Sequence, residues 1–163
     1  MHAESMKSMT DALENIREKV PPQARVLDVG SYDVNGTYRP LVEGLGWSYV
    51  GCDIQPGPNV DVVSDSPSGL PFCEEFDVVI SGQMLEHSED PQEIVLAMAR
   101  ALRPGGYLVI NTHHSFAEHR FPADYWRFMQ DGLLLLFVRT QLLEALDVRY
   151  IDRRDIQGIA RRK

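Results

Sequence analysis

Five short apolar runs, rich in β-branched residues, constrain this chain more than any other feature, because each gives way to small, acidic or amide residues. They are Arg25-Val26-Leu27-Asp28-Val29 before Gly30, Trp47-Ser48-Tyr49-Val50-Gly51-Cys52 before Asp53, Val60-Asp61-Val62-Val63, Phe76-Asp77-Val78-Val79-Ile80 before Ser81-Gly82, and Tyr107-Leu108-Val109-Ile110 before Asn111. Runs this short and this continuous suit strands covered on both faces, as in a parallel sheet. Helical patterns lie between or before several of them. Met6, Met9, Leu13, Ile16 and Val20 form one apolar stripe that Pro21-Pro22 stops. Asp90-Pro91-Gln92-Glu93 reads as a helix start, with Ile94, Ala97, Met98, Ala101 and Leu102 as its buried face and Pro104-Gly105-Gly106 as the turn into the fifth strand. A weaker helix is expected over residues 38–45.

Strands alternating with helices predict a doubly wound α/β sheet. The C-terminal part departs from that rhythm. A helix is expected over residues 131–146, then runs at 148–151 and 156–160 whose connection is too short for a parallel crossover, so they form an antiparallel hairpin. With the five runs this gives a seven-stranded, mostly parallel sheet whose last strand is antiparallel. The 163 residues are expected to form one domain: an N-terminal helix over 1–22, a core over 24–112, and a loop, helix and hairpin over 113–163.

Composition excludes several function classes. Acidic residues outnumber basic ones, 24 to 16, for a net charge of −8, which argues against nucleic acid as the main partner. Arg149, Arg153, Arg154, Arg161, Arg162 and Lys163 cluster near the C-terminus, and a solvated edge explains them better than an RNA-binding tail. Cys52 and Cys73, the only cysteines, form neither a disulfide framework nor a zinc motif. With no span able to cross a bilayer and no signal-peptide core, a cytoplasmic location is expected; the oligomeric state stays open.

Ligands of open α/β sheets bind beyond the carboxyl ends of the strands. Gly30 allows a sharp turn there. Asp53 lies about twenty residues further on and can accept two hydrogen bonds from a ribose diol, or serve as a turn residue before Pro56-Gly57-Pro58. The dinucleotide fingerprint G-x-G-x-x-G is broken, because Tyr32 stands where the second glycine belongs. Asp28 would repel phosphates and would suit a ligand carrying an ammonium and a sulfonium.

Val26-Leu27-Asp28-Val29-Gly30, Gly51-Cys52-Asp53-Ile54, Phe76-Asp77-Val78-Val79-Ile80-Ser81 with Leu85-Glu86-His87, and Leu102-Arg103-Pro104-Gly105-Gly106-Tyr107-Leu108 together resemble the motifs of class I methyltransferases, and of the type 11 family in particular. The resemblance covers about residues 24–112. It implies S-adenosylmethionine as cofactor and a small-molecule acceptor methylated on oxygen or nitrogen. It places Asp28, Gly30, Ser31 and Tyr32 by the methionine moiety and Asp53 on the ribose. Ile54 would pack on the adenine, Asp65 or Ser66 would meet its amine, and Gln83, Met84 and Leu85 would line the channel beside the sulfonium. The loop Ser31-Tyr32-Asp33-Val34-Asn35-Gly36 departs from the family in being poor in glycine.

On the acceptor side His87 could position the acceptor or take its proton, or shape its loop by bonding the backbone, and the last reading is preferred. The segment from His113 to Phe128 is dense in histidine and aromatics. His119 is the leading general-base candidate, and Phe121, Tyr125 and Trp126 can exclude water; the alternative is that the aromatics pack the last helix onto the sheet with Asp124 and Arg127 paired, and that reading is preferred for Trp126. Three histidines here raise a metal site, but their spacing matches no known ligand set and no metal is expected. The alternatives are a binding protein that keeps the cofactor without catalysis and, less favoured, an NAD-dependent oxidoreductase.

Overall fold

The computed structural model describes residues 3–66 and 69–163. Its centre is a seven-stranded sheet of order β3-β2-β1-β4-β5-β7-β6. The strands are β1 (Arg25–Val29), β2 (Ser48–Asp53), β3 (Val62–Val63), β4 (Phe76–Gly82), β5 (Leu102–His113), β6 (Leu143–Tyr150) and β7 (Asp155–Arg162). The first five are parallel, and β7 runs antiparallel between β5 and β6. The helices are α1 (Ala3–Ile16), α2 (Arg39–Gly44), α3 (Pro91–Ala101) and α4 (Gln130–Arg139).

Successive strand residues point to opposite faces, and each face has its own core. Val26, Val78, Ile80 and Val109 pack under α1 and α2 through Met9, Leu13, Ile16 and Val42. Leu27, Val29, Val79, Leu108 and Ile110 pack under α3 and α4 through Ile94, Met98, Leu133 and Phe137. That two-sided burial is why the strands read as continuous apolar runs rather than as alternation. Asp90 caps α3 as expected, accepting a hydrogen bond from the Glu93 amide at 3.1 Å.

Four expectations are corrected. The helix expected over 131–146 ends at Arg139, because the Thr140 hydroxyl donates to the Phe137 carbonyl at 2.7 Å and accepts from the Leu143 amide, while Gln141 takes a positive φ of 60°. The leucines beyond it belong to β6, where buried Leu143 alternates with exposed Glu144. Both hairpin strands are accordingly longer than expected. The fifth strand already begins at Leu102, with Pro104-Gly105-Gly106 absorbed as an irregularity against β4. The third strand shrinks to Val62–Val63. No helix among the described residues is long and apolar enough to cross a membrane.

A buried polar lattice ties α1 to the carboxyl edge of the sheet. Asn111 at the end of β5 donates to the Ser5 carbonyl at 3.0 Å and the Ser8 hydroxyl at 2.9 Å, and Gln157 on β7 donates to Asn111 Oδ1 at 2.9 Å and the Ser8 carbonyl at 3.0 Å. Every partner in this lattice is buried, so losing one would leave another without a bond.

Candidate active site

A cavity of about 540 Å³ opens at the carboxyl edge of the parallel strands. It runs from the ends of β1 and β2 to the loop after β5, and the two ends differ in chemistry.

The first end is built from strand termini. Asp28 is 3 % exposed and accepts a hydrogen bond from the Tyr49 hydroxyl at 2.6 Å. Burial pushes its carboxyl up to about 7; the Tyr49 bond pulls it down, Asp53 raises it and Arg39 lowers it. Gly30 follows with φ +81°, and a Cβ there would lie 2.4 Å from Met84 Cγ, so both backbone and space require glycine. Asp53 ends β2 and steadies the turn, accepting from the Tyr32 amide at 3.1 Å through one oxygen and the Gln55 amide at 3.3 Å through the other. Each oxygen keeps a lone pair for a ligand hydroxyl. Ser31, Tyr32 and Ile54 also line this end. The Tyr32 ring lies where a side chain on Gly57 would stand, which accommodates a tyrosine in a loop short of glycine.

A brace that the sequence did not reveal holds this end together. Asn59, in the left-handed region at φ 68°, donates to the Ser31 carbonyl and to the Tyr49 hydroxyl, both at 2.8 Å. Arg39 donates to Asn59 Oδ1 at 2.8 Å and to Asp61 at 2.6 Å, and lies over the Tyr49 ring at 4.2 Å. The only sequence signal was an asparagine after Pro56-Gly57-Pro58, which marks a turn and not a tether.

The middle is formed by Gln83 and Met84, both on the cavity wall. Gln83 is held at φ 56°, its amide group donates to the Ser5 hydroxyl at 3.3 Å, and its buried Oε1 has no hydrogen-bond partner. Leu85 is corrected: it is wholly buried in the core beneath α3 and does not reach the cavity. Of the two adenine-side candidates, Ser66 lines the cavity and exposed Asp65 does not. Residues 67 and 68 of that stretch lie outside the described residues.

The second end is imidazole-rich. His87 sits in a turn after β4, with Nδ1 at 2.5 Å from the Ala123 carbonyl. That contact makes Nδ1 the donor and leaves the Nε2 lone pair free in the neutral ring. His119 also lines the cavity; its Nδ1 lies 3.2 Å from the Ala117 carbonyl and 3.3 Å from Asp124. The Arg127 guanidinium is bonded to Asp124 at 2.6 and 2.7 Å, the pair that the packing alternative carried, and it holds that carboxyl well below the usual carboxylate range. His113 ends β5, stacks on Phe116 at 4.4 Å and meets Asp155 at 2.6 Å. Glu86, fully buried, accepts from the Thr112 hydroxyl at 2.7 Å, and its carbonyl anchors the loop through the Tyr125 amide at 2.8 Å. Phe121 and Tyr125 line the cavity, as expected. Trp126 is corrected: it is half-exposed, donating to the Ser88 carbonyl, and Phe128 enters the core in its stead. His114 turns away from the cavity, toward Tyr150 and the Asp152 carbonyl. Glu86 and Asp155 were missed as site residues; Asp155 opens the last strand, 42 positions from its partner histidine.

This strand order, with a glycine turn after β1 and an acid ending β2, is the Rossmann-like architecture of class I methyltransferases. The chain belongs to the methyltransferase domain family, whose match spans residues 1–149; the type 11 subfamily is not what that match names. Among curated relatives, a ubiquinone biosynthesis O-methyltransferase of Ralstonia nicotianae is 31 % identical over 99 residues, covering 51 % of this chain and 42 % of the relative. A 2-methyl-6-phytyl-1,4-hydroquinone methyltransferase of Synechocystis is 28 % identical over 122 residues, covering 67 % and 38 %. The chain thus spans less than half the length of these relatives. Among solved structures, the Burkholderia thailandensis 1,6-didemethyltoxoflavin-N1-methyltransferase, with bound 1,6-didemethyltoxoflavin and S-adenosylhomocysteine, superposes with a TM-score of 0.79 at 18 % identity, covering 98 % of this chain and 78 % of that one. An Aquifex aeolicus SAM-dependent methyltransferase superposes at 0.69 and 16 % identity, each chain fully covered.

Proposed function

We propose that this chain transfers a methyl group from S-adenosylmethionine to an oxygen or nitrogen of a small acceptor. The observation that carries this reading is one continuous cavity with a buried acid at one end and imidazoles at the other. Its size falls in the range of small-molecule sites, ~300–1,000 Å³.

The residues present fit the cofactor. Asp28 offers a carboxylate to an ammonium, and Gln83 Oε1 offers a buried acceptor that the protein leaves unused. Asp53 receives the ribose hydroxyls, Ile54 and Leu70 flank the adenine, and Ser66 meets its edge. Bound there, the cofactor supplies an electrophilic methyl on a sulfonium. Gly30 and Met84 keep the backbone close to that centre, and holding donor and acceptor in line can contribute ~7–11 kcal/mol.

At the other end Phe116, Phe121 and Tyr125 favour a planar or partly apolar acceptor over a bare sugar. His87 Nε2 takes the acceptor's proton, and His119 faces the acceptor from the loop. A screen for S-adenosylhomocysteine formation over phenolic, sugar and amine acceptors tests the assignment. Turnover is expected with a hydroxylated aromatic, and no turnover with any class, despite cofactor binding, would favour a non-catalytic binding protein.

A further inference from the structure

We infer that Glu86, His113 and His119 form a site for one divalent transition-metal ion at the acceptor end of the cavity. One ligand atom from each of the three lies within 4.8 Å of the others. Glu86 and His113 are fixed members, 0 % and 1 % exposed, whereas His119 is carried on the loop after β5 and is partly exposed.

Three observations point inward to a cation. First, Glu86 Oε1 is buried and accepts no hydrogen bond, although the other oxygen of the same carboxylate is satisfied by Thr112. A buried carboxylate oxygen left bare is costly unless something positive meets it. Second, His113 Nδ1 is held by the Asp155 carboxylate, so in the neutral ring Nε2 carries the lone pair, and Nε2 lies 3.5 Å from Glu86 Oε1. Their spacing is close to that of neighbouring donors about one ion, ~3.4 Å for tetrahedral bonds of ~2.1 Å. Third, His113 and His119 each direct Nδ1 to a carboxylate or a carbonyl, which is how metal-bound histidines are oriented through their second nitrogen.

Two imidazoles and one carboxylate suit zinc, iron, cobalt or manganese better than magnesium or calcium, and they leave positions open toward the cavity. The expectation of no metal stands against this proposal. It rested on sequence spacing, and these donors come from the turn after β4, the end of β5 and the following loop. Occupancy of the site does not depend on methyl transfer. The ion's role does rest on that reading: an acceptor hydroxyl bound to it loses its proton to His87 Nε2, its oxygen bonds the methyl carbon as the methyl–sulfur bond breaks, and S-adenosylhomocysteine leaves. His119 then holds the ion and is not the base.

The test is titration of the chelator-stripped full chain with Zn²⁺ and with Co²⁺, followed by calorimetry, elemental analysis after dialysis and the visible spectrum of Co²⁺. One ion per chain and a spectrum altered from that of aqueous Co²⁺ are expected. His119→Ala, at a partly exposed position, should weaken binding about a hundredfold, and Asp155→Asn about 10–100-fold. Glu86→Gln, which keeps the shape and the Thr112 contact, should abolish the altered spectrum. S-adenosylhomocysteine affinity, measured on the same samples, should be unchanged in His119→Ala. Failure of the unmodified chain to retain either ion, or equal affinity in His119→Ala, overturns the metal site. Loss of S-adenosylhomocysteine binding with metal retained would instead overturn the cofactor reading.

Discussion

The two ends of the cavity are built on opposite plans. At the end formed by β1 and β2, the polar groups are tied to their neighbours: Asp53 to the Tyr32 and Gln55 amides, Asn59 to the Ser31 carbonyl, and Asp28 to the Tyr49 hydroxyl. The end formed after β4 and β5 gathers Glu86, His87, His113, His119 and Asp155 from four separate stretches, and leaves Glu86 Oε1 and Asp155 Oδ2 unbonded. A rigid, locally satisfied end suits a ligand that is always the same. An end with unused carboxylate oxygens and a loop wall suits chemistry and an acceptor that must enter and leave.

If the division is real, the acceptor end can be damaged without touching the other. His87→Ala is expected to lower turnover about 10²–10⁴-fold. Its S-adenosylhomocysteine affinity, measured by calorimetry, should match that of the unmodified chain; a parallel loss of both would merge the two ends into one unit.

A smaller effect is expected from Gly30→Ala. The left-handed backbone and the contact with Met84 should together cost about 2–4 kcal/mol of stability, read by denaturant unfolding. Unfolding that matches the unmodified chain would mean that the turn can relax.

The pH behaviour of Asp28 should separate the ends further, with opposite signs for folding and for binding. The native carboxyl titrates near 7 against an ordinary value of 3.8, so between those values the native state holds a proton that the unfolded state has lost. Stability of the unliganded chain should therefore fall as pH rises from about 4 to 7, then level off. The groups facing Asp28 are Tyr49, Asp53, Arg39 and Tyr38, of which Arg39 alone is cationic. A ligand ammonium favours the carboxylate, so S-adenosylhomocysteine affinity should rise as pH rises toward 7, with proton release visible in buffers of different ionisation heat. Affinity independent of pH between 5 and 8 would place the ammonium elsewhere. The smallest change is expected in Tyr49→Phe: losing the hydrogen bond to Asp28 should move that midpoint upward, and a downward move would show that Tyr49 does not favour the carboxylate.

The same contrast explains what could be read from the sequence. Asp28, Gly30, Asp53 and Ile54 each lie within one residue of a strand's end, so locating the strands located them. Gln83 and Met84 followed from the end of β4, but Leu85, one residue on, turned inward, because a short turn reverses the chain there. The acceptor end has no such local rule. Asp155 joins His113 only through the antiparallel register of β7 against β5, which no short motif encodes. The leucines from 133 to 146 fit a helical and a strand period equally, and the Thr140 cap decided between them.

The most direct test of the cavity's assignment is calorimetric titration of S-adenosylhomocysteine into the full chain, its Asp53→Ala variant and Asp53→Asn, which keeps the shape that steadies the Tyr32 turn. Charged hydrogen bonds to two hydroxyls are each worth ~1.5–3 kcal/mol, so binding to one site per chain should weaken about a hundredfold or more in Asp53→Ala, and less in Asp53→Asn. Equal affinity in all three proteins would contradict the placement of the cofactor at this end.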